Sequence, residues 1–310
     1  MRAAADPAAR ISFSPLGPGP SVELFLQTLL DGVLIGGTLV VIAAGFSLCF
    51  GVMDVIDFAV GEWVMLGAYT AFWFQEFTGS DPMAALPLFF ALFFAGGYLL
   101  QPLIQRVTAG RRPHPVLMGL LFTFGLATVA KGSALYFWGF NFRSIRTWLS
   151  GQNVQIGITV PSLRFAGFLF GVLTTLAFMA FLSWTRTGRA IRATAQDRVT
   201  AGLLGVDVRR ISALVYAVYA GLTGMAGVLI GALFSIHAGM GLRYTTLAFF
   251  VVVLAGMGFV PGVIPAALFM GLLQSLTAVY LGSRYVGLAL FGVFYLTLVV
   301  APKGLFGRGS

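Results

Sequence analysis

From Glu23 to Ala301 the chain is a succession of apolar runs, each close to one bilayer thickness, with polar residues gathered in the short stretches between them. Backbone groups in hydrocarbon must be hydrogen-bonded within their own segment. A run of about 20 apolar residues is therefore read as a spanning helix. The runs are 23–50, 58–77, 83–105, 113–138, 164–183, 211–237, 242–257, 262–281 and 285–301. Charged residues make up 9% of the chain, against about 25% in soluble domains. The pattern predicts an all-α, polytopic transmembrane bundle of eight to nine spanning helices. Residues 242–257 are short for a full crossing and 258–262 reads Gly-Phe-Val-Pro-Gly, so broken or re-entrant segments are expected. Residues 1–20 hold four prolines and no apolar core, which predicts a disordered tail ahead of a single membrane domain over 21–310.

One stretch cannot lie in lipid. Trp184 to Arg210 carries Arg186, Arg189, Arg192, Arg198, Arg209 and Arg210 against Asp197 and Asp207. Each arginine at the bilayer centre costs about 2.5–3.5 kcal/mol on insertion scales. The segment therefore emerges into water, and its arginine excess assigns it to the cytoplasm. The cluster Arg106, Arg111 and Arg112 falls on the same side, and with nine crossings the N-terminus lies outside and Lys303 and Arg308 inside. Net charge of +9 follows from these loops and requires no nucleic acid. Ile191, Ala195, Val199 and Leu203 recur at i+4, which predicts one amphipathic surface helix whose apolar stripe needs a cover. A partner protein, the membrane surface and the chain's own helix ends are the three candidates.

Three acids, Asp54, Asp57 and Glu62, stand between the first two runs with no Lys or Arg beside them. They mark either a polar turn at the membrane surface or a helix break at depth, lining a watery path; intramembrane acids are functional candidates. Gly32-x-x-x-Gly36 is a close-packing spacing. Gly-Val-Leu-Ile-Gly occurs at 32–36 and at 227–231, as an internal repeat would leave it. Residues 152–160 alternate like a short hairpin, in a loop that is either a cap over a solute's way in or a linker. Cys49 reads as a packing residue, and His114 and His237 have no ligand-spaced neighbours, so no metal site is expected. No phosphate loop, HExxH, CxxC or GxSxG is present, and no catalytic constellation emerges. What remains is a membrane passage for a solute, with a cytoplasmic feature built for docking.

The run from Gly32 to Tyr69 resembles the start of branched-chain amino acid ABC-transporter permeases. The residues are Gly51-Val-Met-Asp-Val-Ile-Asp-Phe-Ala-Val-Gly-Glu62 and Leu66-Gly-Ala-Tyr69. Thr187-Gly-Arg-Ala-Ile-Arg-Ala193 and Ala201-Gly-Leu-Leu-Gly-Val-Asp207 resemble that family's cytoplasmic coupling loop. Gly256-Met-Gly-Phe-Val-Pro-Gly262 and Pro302-Lys-Gly-Leu-Phe-Gly307 resemble its two C-terminal signatures.

The resemblance implies a permease subunit in the bacterial inner membrane that is not itself an enzyme. It implies a second permease chain, identical or not, two cytoplasmic ATPase subunits, an extracytoplasmic solute-binding protein and surrounding lipid as partners. ATP is then used by the partner subunits, and this chain binds no cofactor. Arg189, Ile191, Arg192, Ala195, Asp197 and Gly205 are expected at the ATPase contact, and Asp54, Asp57 and Glu62 along the solute path. Asp57 and Val60 stand where the family usually has Asn and His. A path made more negative in this way would favour zwitterionic, amide-like or cationic solutes over anionic ones. A stand-alone ion-coupled transporter using the three acids, or a passive channel, are the competing readings.

Overall fold

The computed structural model describes residues 22–108, 115–155, 159–302 and 304–306. Arg111, Arg112, His114, Lys303, Arg308 and the 1–20 tail lie outside the described residues. The helices are α1 (Val22–Met53), α2 (Val60–Thr78), α3 (Leu86–Thr108), α4 (Pro115–Trp138), α5 (Ser162–Trp184), α6 (Arg186–Gln196), α7 (Arg198–Leu203), α8 (Val208–Leu233), α9 (Met240–Ala255), α10 (Val263–Leu276) and α11 (Val286–Val300). A hairpin of β1 (Asn153–Gln155) and β2 (Thr159–Pro161) is the exception to the all-α plan among the described residues, with Val154 opposite Val160. It falls where the alternation predicts.

Six apolar helical stretches are long enough to cross a bilayer: 23–53, 86–108, 116–138, 162–184, 208–233 and 260–300. The last folds back on itself at a π-helical turn over Thr277–Gly282. Helices α1 and α8 form the buried centre. Helix α10 lies along α1, where a Cβ on Gly36 would come within 2.8 Å of the Ala267 carbonyl oxygen. The Gly32-x-x-x-Gly36 spacing is thus a helix-packing seam. Helices α2 and α3 lie along α8: a Cβ on Gly67 would meet the Gly224 carbonyl oxygen at 2.1 Å. Without side chains between them, main chains come into contact.

The two halves share one plan, inverted. Long α1 is followed by a break over 54–59 and then α2; long α8 is followed by a break over 234–239 and then α9. Helix α3 packs on α8, and α10 packs on α1. The repeated pentapeptide is not in register with this symmetry. Gly36 precedes its break by 18 residues (54 − 36), whereas Gly231 precedes its own by 3 (234 − 231). The repeat is architectural, and the pentapeptide match is chance.

Candidate functional site

The break after α1 is inside the bundle. Asp54 closes α1 in the left-handed region, at φ 51°, a conformation that Asp tolerates better than most residues. The chain then turns back along α8. Asp57 meets Tyr216, eight residues beyond Val208, or about 12 Å along the helix from its arginine-rich start at 1.5 Å per residue. Asp57 is fully buried. Its carboxylate accepts from the Ala59 amide at 2.7 Å and from the Tyr216 hydroxyl at 2.8 Å.

Two threonines from distant helices satisfy the exposed main chain. Thr123 of α4 accepts from the Phe58 amide and donates to the Ile56 carbonyl. Thr245 of α9 accepts from the Gly61 amide and donates to the Phe58 carbonyl. Irregular backbone buried inside the bundle persists because protein groups stand in for water. Glu62, buried in the first turn of α2, lies over Gly241 with Oε2 unpartnered among the described residues. The three acids therefore have three surroundings. Asp57 fastens the break and Glu62 faces α9, while Asp54 is exposed beside a cavity.

The arginine-rich segment is two helices rather than one. Thr185 ends α5 and caps α6, its hydroxyl accepting from the Gly188 amide at 2.9 Å. A Cβ on Gly188 would come within 2.4 Å of the Phe181 carbonyl oxygen, so this corner requires glycine. Arg189 and Arg192 reach back to the Trp184 and Ser183 carbonyls at the end of α5, where cations complement the helix dipole. Asp197 interrupts the helix and caps α7, accepting from the Val199 and Thr200 amides. The Thr200 hydroxyl, followed by these amides, holds the Asp197 carboxyl below its ordinary range. Gly205, at φ 87°, ends α7 in a Schellman turn, with Val206 N–H bonded to Ala201 and Gly205 N–H to Gly202.

The predicted stripe is consequently split. Ile191 is fully buried within the chain, so it is not available at an outer contact. Arg189, Arg192, Ala195 and Asp197 are exposed. Val199, Leu203 and Leu204 stand out at 73%, 83% and 79% exposure, so the chain itself does not cover that end of the stripe.

Three cavities surround this framework. The outer one, about 900 Å³, lies among α1, α9, α10 and α11 and is lined by Asp31, Arg164, Arg243, Thr246, Gln274 and apolar side chains. Asp31 and Arg164 pair at 2.8 Å, and both are half-buried. Gln274 is buried with its Nε2 unpartnered among the described residues. The inner cavity, about 830 Å³, includes Asp54, Ala195, Phe249, Val253, Phe294 and Leu298. A third, about 280 Å³, separates α6 from Gly258–Pro261 and holds Ile191 and Arg192. Asp57 and Glu62 line none of the three.

Loop 139–152 docks on the end of α2. Arg143 pairs main chain with Ile236 and lays its guanidinium 4.8 Å from the Phe72 ring centroid. Gln75 and Asp81 hold the Arg146 carbonyl and the Trp148 amide. The loop braces α2 against the 234–239 break and contributes nothing to the outer cavity's lining.

The motifs quoted from the sequence converge at the arginine-rich end. Gly51 touches Gly258, with a built Cβ 2.9 Å from its Cα. A Cβ on Gly304 would fall 2.3 Å from the Gly256 nitrogen. Leu305 N–H bonds the Leu254 carbonyl, and Arg198 bonds the Met53 carbonyl at 3.3 Å. Sequence reasoning missed the Asp31–Arg164 pair, 133 residues apart, and Arg243. Their only signal was a charge inside or at the edge of an apolar run.

The chain is similar in sequence to known transport permeases. The family model described as branched-chain amino acid transport system / permease component matches residues 28–301. The high-affinity branched-chain amino acid transport system permease protein BraD of Pseudomonas aeruginosa is 28% identical over 303 residues, covering 93% of this chain and 98% of BraD. The corresponding LivH of Escherichia coli K12 is 28% identical over 295 residues, covering 92% of this chain and 96% of LivH. A solved structure of PsaBC from Streptococcus pneumoniae in complex with Fab superposes at a TM-score of 0.45 and 16% identity, over 89% of this chain and 92% of that one. That likeness is too loose to carry an argument.

Proposed function

The chain belongs to the family of branched-chain amino acid transport permease components, and we propose that α6 and α7 are the seat of the ATPases that drive it. It is a multi-pass inner-membrane permease subunit of an ABC importer, not an enzyme, and works with ATPase and solute-binding partners. In the proposed assembly a second permease chain completes the passage and each permease carries one ATPase. ATP is consumed by those partners.

One observation carries the reading. The bundle presents Val199, Leu203 and Leu204 to water on its arginine-rich end, next to Arg189 and Arg192. Exposed apolar side chains rimmed by charge are the anatomy of a protein contact. Ile191 and Gly188 tie α6 to α5, and Arg198 ties α7 to the end of α1 and to Ser212 of α8. Force on α7 therefore reaches α1, α5 and α8 together. Rigid-body rocking of packed helices is the form that such switching takes. Arg189, Arg192, Ala195 and Asp197 take part through exposed surface, and Gly205 through the turn it permits. Asp54 borders the inner end of the path, and Asp57 and Glu62 hold the break beside it.

The outer cavity suits an amino acid. Arg243 and the Asp31–Arg164 pair offer partners for a carboxylate and an ammonium, and Ile35, Leu242, Leu247 and Leu290 offer an apolar wall. The test is uptake in proteoliposomes containing the permease pair, the ATPases and the binding protein. ATP-driven accumulation of leucine, isoleucine or valine is expected, and the permease chains alone should give none. Uphill transport by this chain without an ATPase would overturn the reading.

A further inference from the structure

The outer and inner cavities lie toward opposite ends of α9, and a cluster of phenylalanine rings sits where their linings meet. Phe250 and Phe291 belong to the lining of the outer cavity; Phe249 and Phe294 belong to that of the inner one. Phe250 is stacked on Phe294, with ring centroids 4.5 Å apart and planes at 24°. It also meets the edge of Phe291 at 4.9 Å, and Phe249 lies 5.8 Å from Phe294. The Phe250–Phe294 contact thus joins a ring of one cavity to a ring of the other.

We infer that the solute path of this chain runs along α9 and α11 from the outer to the inner cavity, and that Phe249, Phe250, Phe291 and Phe294 are the barrier that holds it shut. The inference rests on the permease reading and names the site at which transport is gated. A polar solute leaving Arg243 and Asp31 would find no hydrogen-bonding partner among these rings, so the cluster opposes passage by desolvation. Aromatic rings are rigid plates set by two side-chain torsions, and a small displacement of α9 against α11 parts them. Both helices are reached from the cytoplasmic end. Ala195 of α6 lines the inner cavity, and Leu305, beyond α11, bonds Leu254 of α9. Phe291 is 58% exposed, so the barrier is open on the α11 side, where a second permease chain would supply the missing wall.

The experiment uses the complete importer in sealed vesicles of known orientation, with a membrane-impermeant methanethiosulfonate as the probe. Cys49 is buried and sets the background. Thr246→Cys lines the outer cavity and Leu298→Cys the inner one. Thr246→Cys should react from outside about tenfold or more faster than from inside, and Leu298→Cys in the reverse sense. Adding Phe250→Ala and Phe294→Ala should let the outside reagent reach Leu298→Cys. Reaction of both cysteines from one side would overturn the path, whether or not the alanine variant folds. Unchanged sidedness in an alanine variant with the wild-type elution profile would overturn the barrier. Loss of ATP dependence of uptake by unmodified vesicles would sink the importer reading instead, and leave the labelling result standing.

Discussion

The Tyr216 hydroxyl donates to the Asp57 carboxylate across 2.8 Å, fastening a helix break to the middle of the bundle. Tyr216→Phe removes a hydroxyl donor from a fully buried acid. A buried polar group left short of a partner costs about 1–3 kcal/mol. The thermal midpoint of the purified variant in detergent should fall accordingly. Asp57→Asn keeps an acceptor for the Ala59 amide and should lose less than Asp57→Ala. Equal midpoints for all three variants would mean that the break does not depend on this bond.

Two glycines in neighbouring helices should behave oppositely. A Cβ at Gly67 would strike the Gly224 main chain at 2.1 Å, whereas nothing lies within 4 Å of one at Gly96. Gly67→Ala forces α2 from α8, at a cost of about 1–3 kcal/mol or more. Gly96→Ala should be neutral or gain up to about 1 kcal/mol in helix propensity. Yield of monodisperse protein and its thermal midpoint, compared between the two, make the check.

Replacing Val199, Leu203 and Leu204 with serine alters an exposed surface rather than a core. Stability should move by no more than about 0.5 kcal/mol. ATP-driven uptake by the full importer should drop about tenfold or more, in the range of hot-spot losses at interfaces. Full activity in this variant would place the ATPase contact elsewhere.

Asp197 makes the cap of α7 dependent on pH. Its carboxyl is held below the ordinary range by the Thr200 hydroxyl and by the Thr200 and Val199 amides. A depressed carboxylate contributes stability above its unfolded value, and that contribution is lost as pH falls through the folded one. Amide exchange at Val199 and Thr200, corrected for intrinsic rates, should accelerate in that acidic window. Asp197→Asn should flatten the profile.

The spanning plan was legible because hydrocarbon leaves little freedom. Apolar runs must become helices, and arginines must leave the membrane. The break near Asp57 was visible as acids without nearby bases. Its depth was hidden, because Thr123 and Thr245 decide it, from 65 and 187 residues away from Phe58. The single-helix reading of 188–205 failed on Asp197. An Asp followed three residues later by a threonine that donates back to it is a start signal, and it outweighed an i+4 stripe of four residues. The cavity residues Asp31, Arg164 and Arg243 come from three separate runs, and no local pattern assembles them.

Where Gly67 meets Gly224, Gly227 meets Val64 and Gly36 meets Ala267, helix backbone rests directly on helix backbone. Interlocked side chains resist shear because each must change rotamer before its neighbour can pass. Smooth contacts impose no such toll. These three places are slip planes, along which one rigid rod can glide past the next by a fraction of a turn while its internal ladder of amide bonds stays whole.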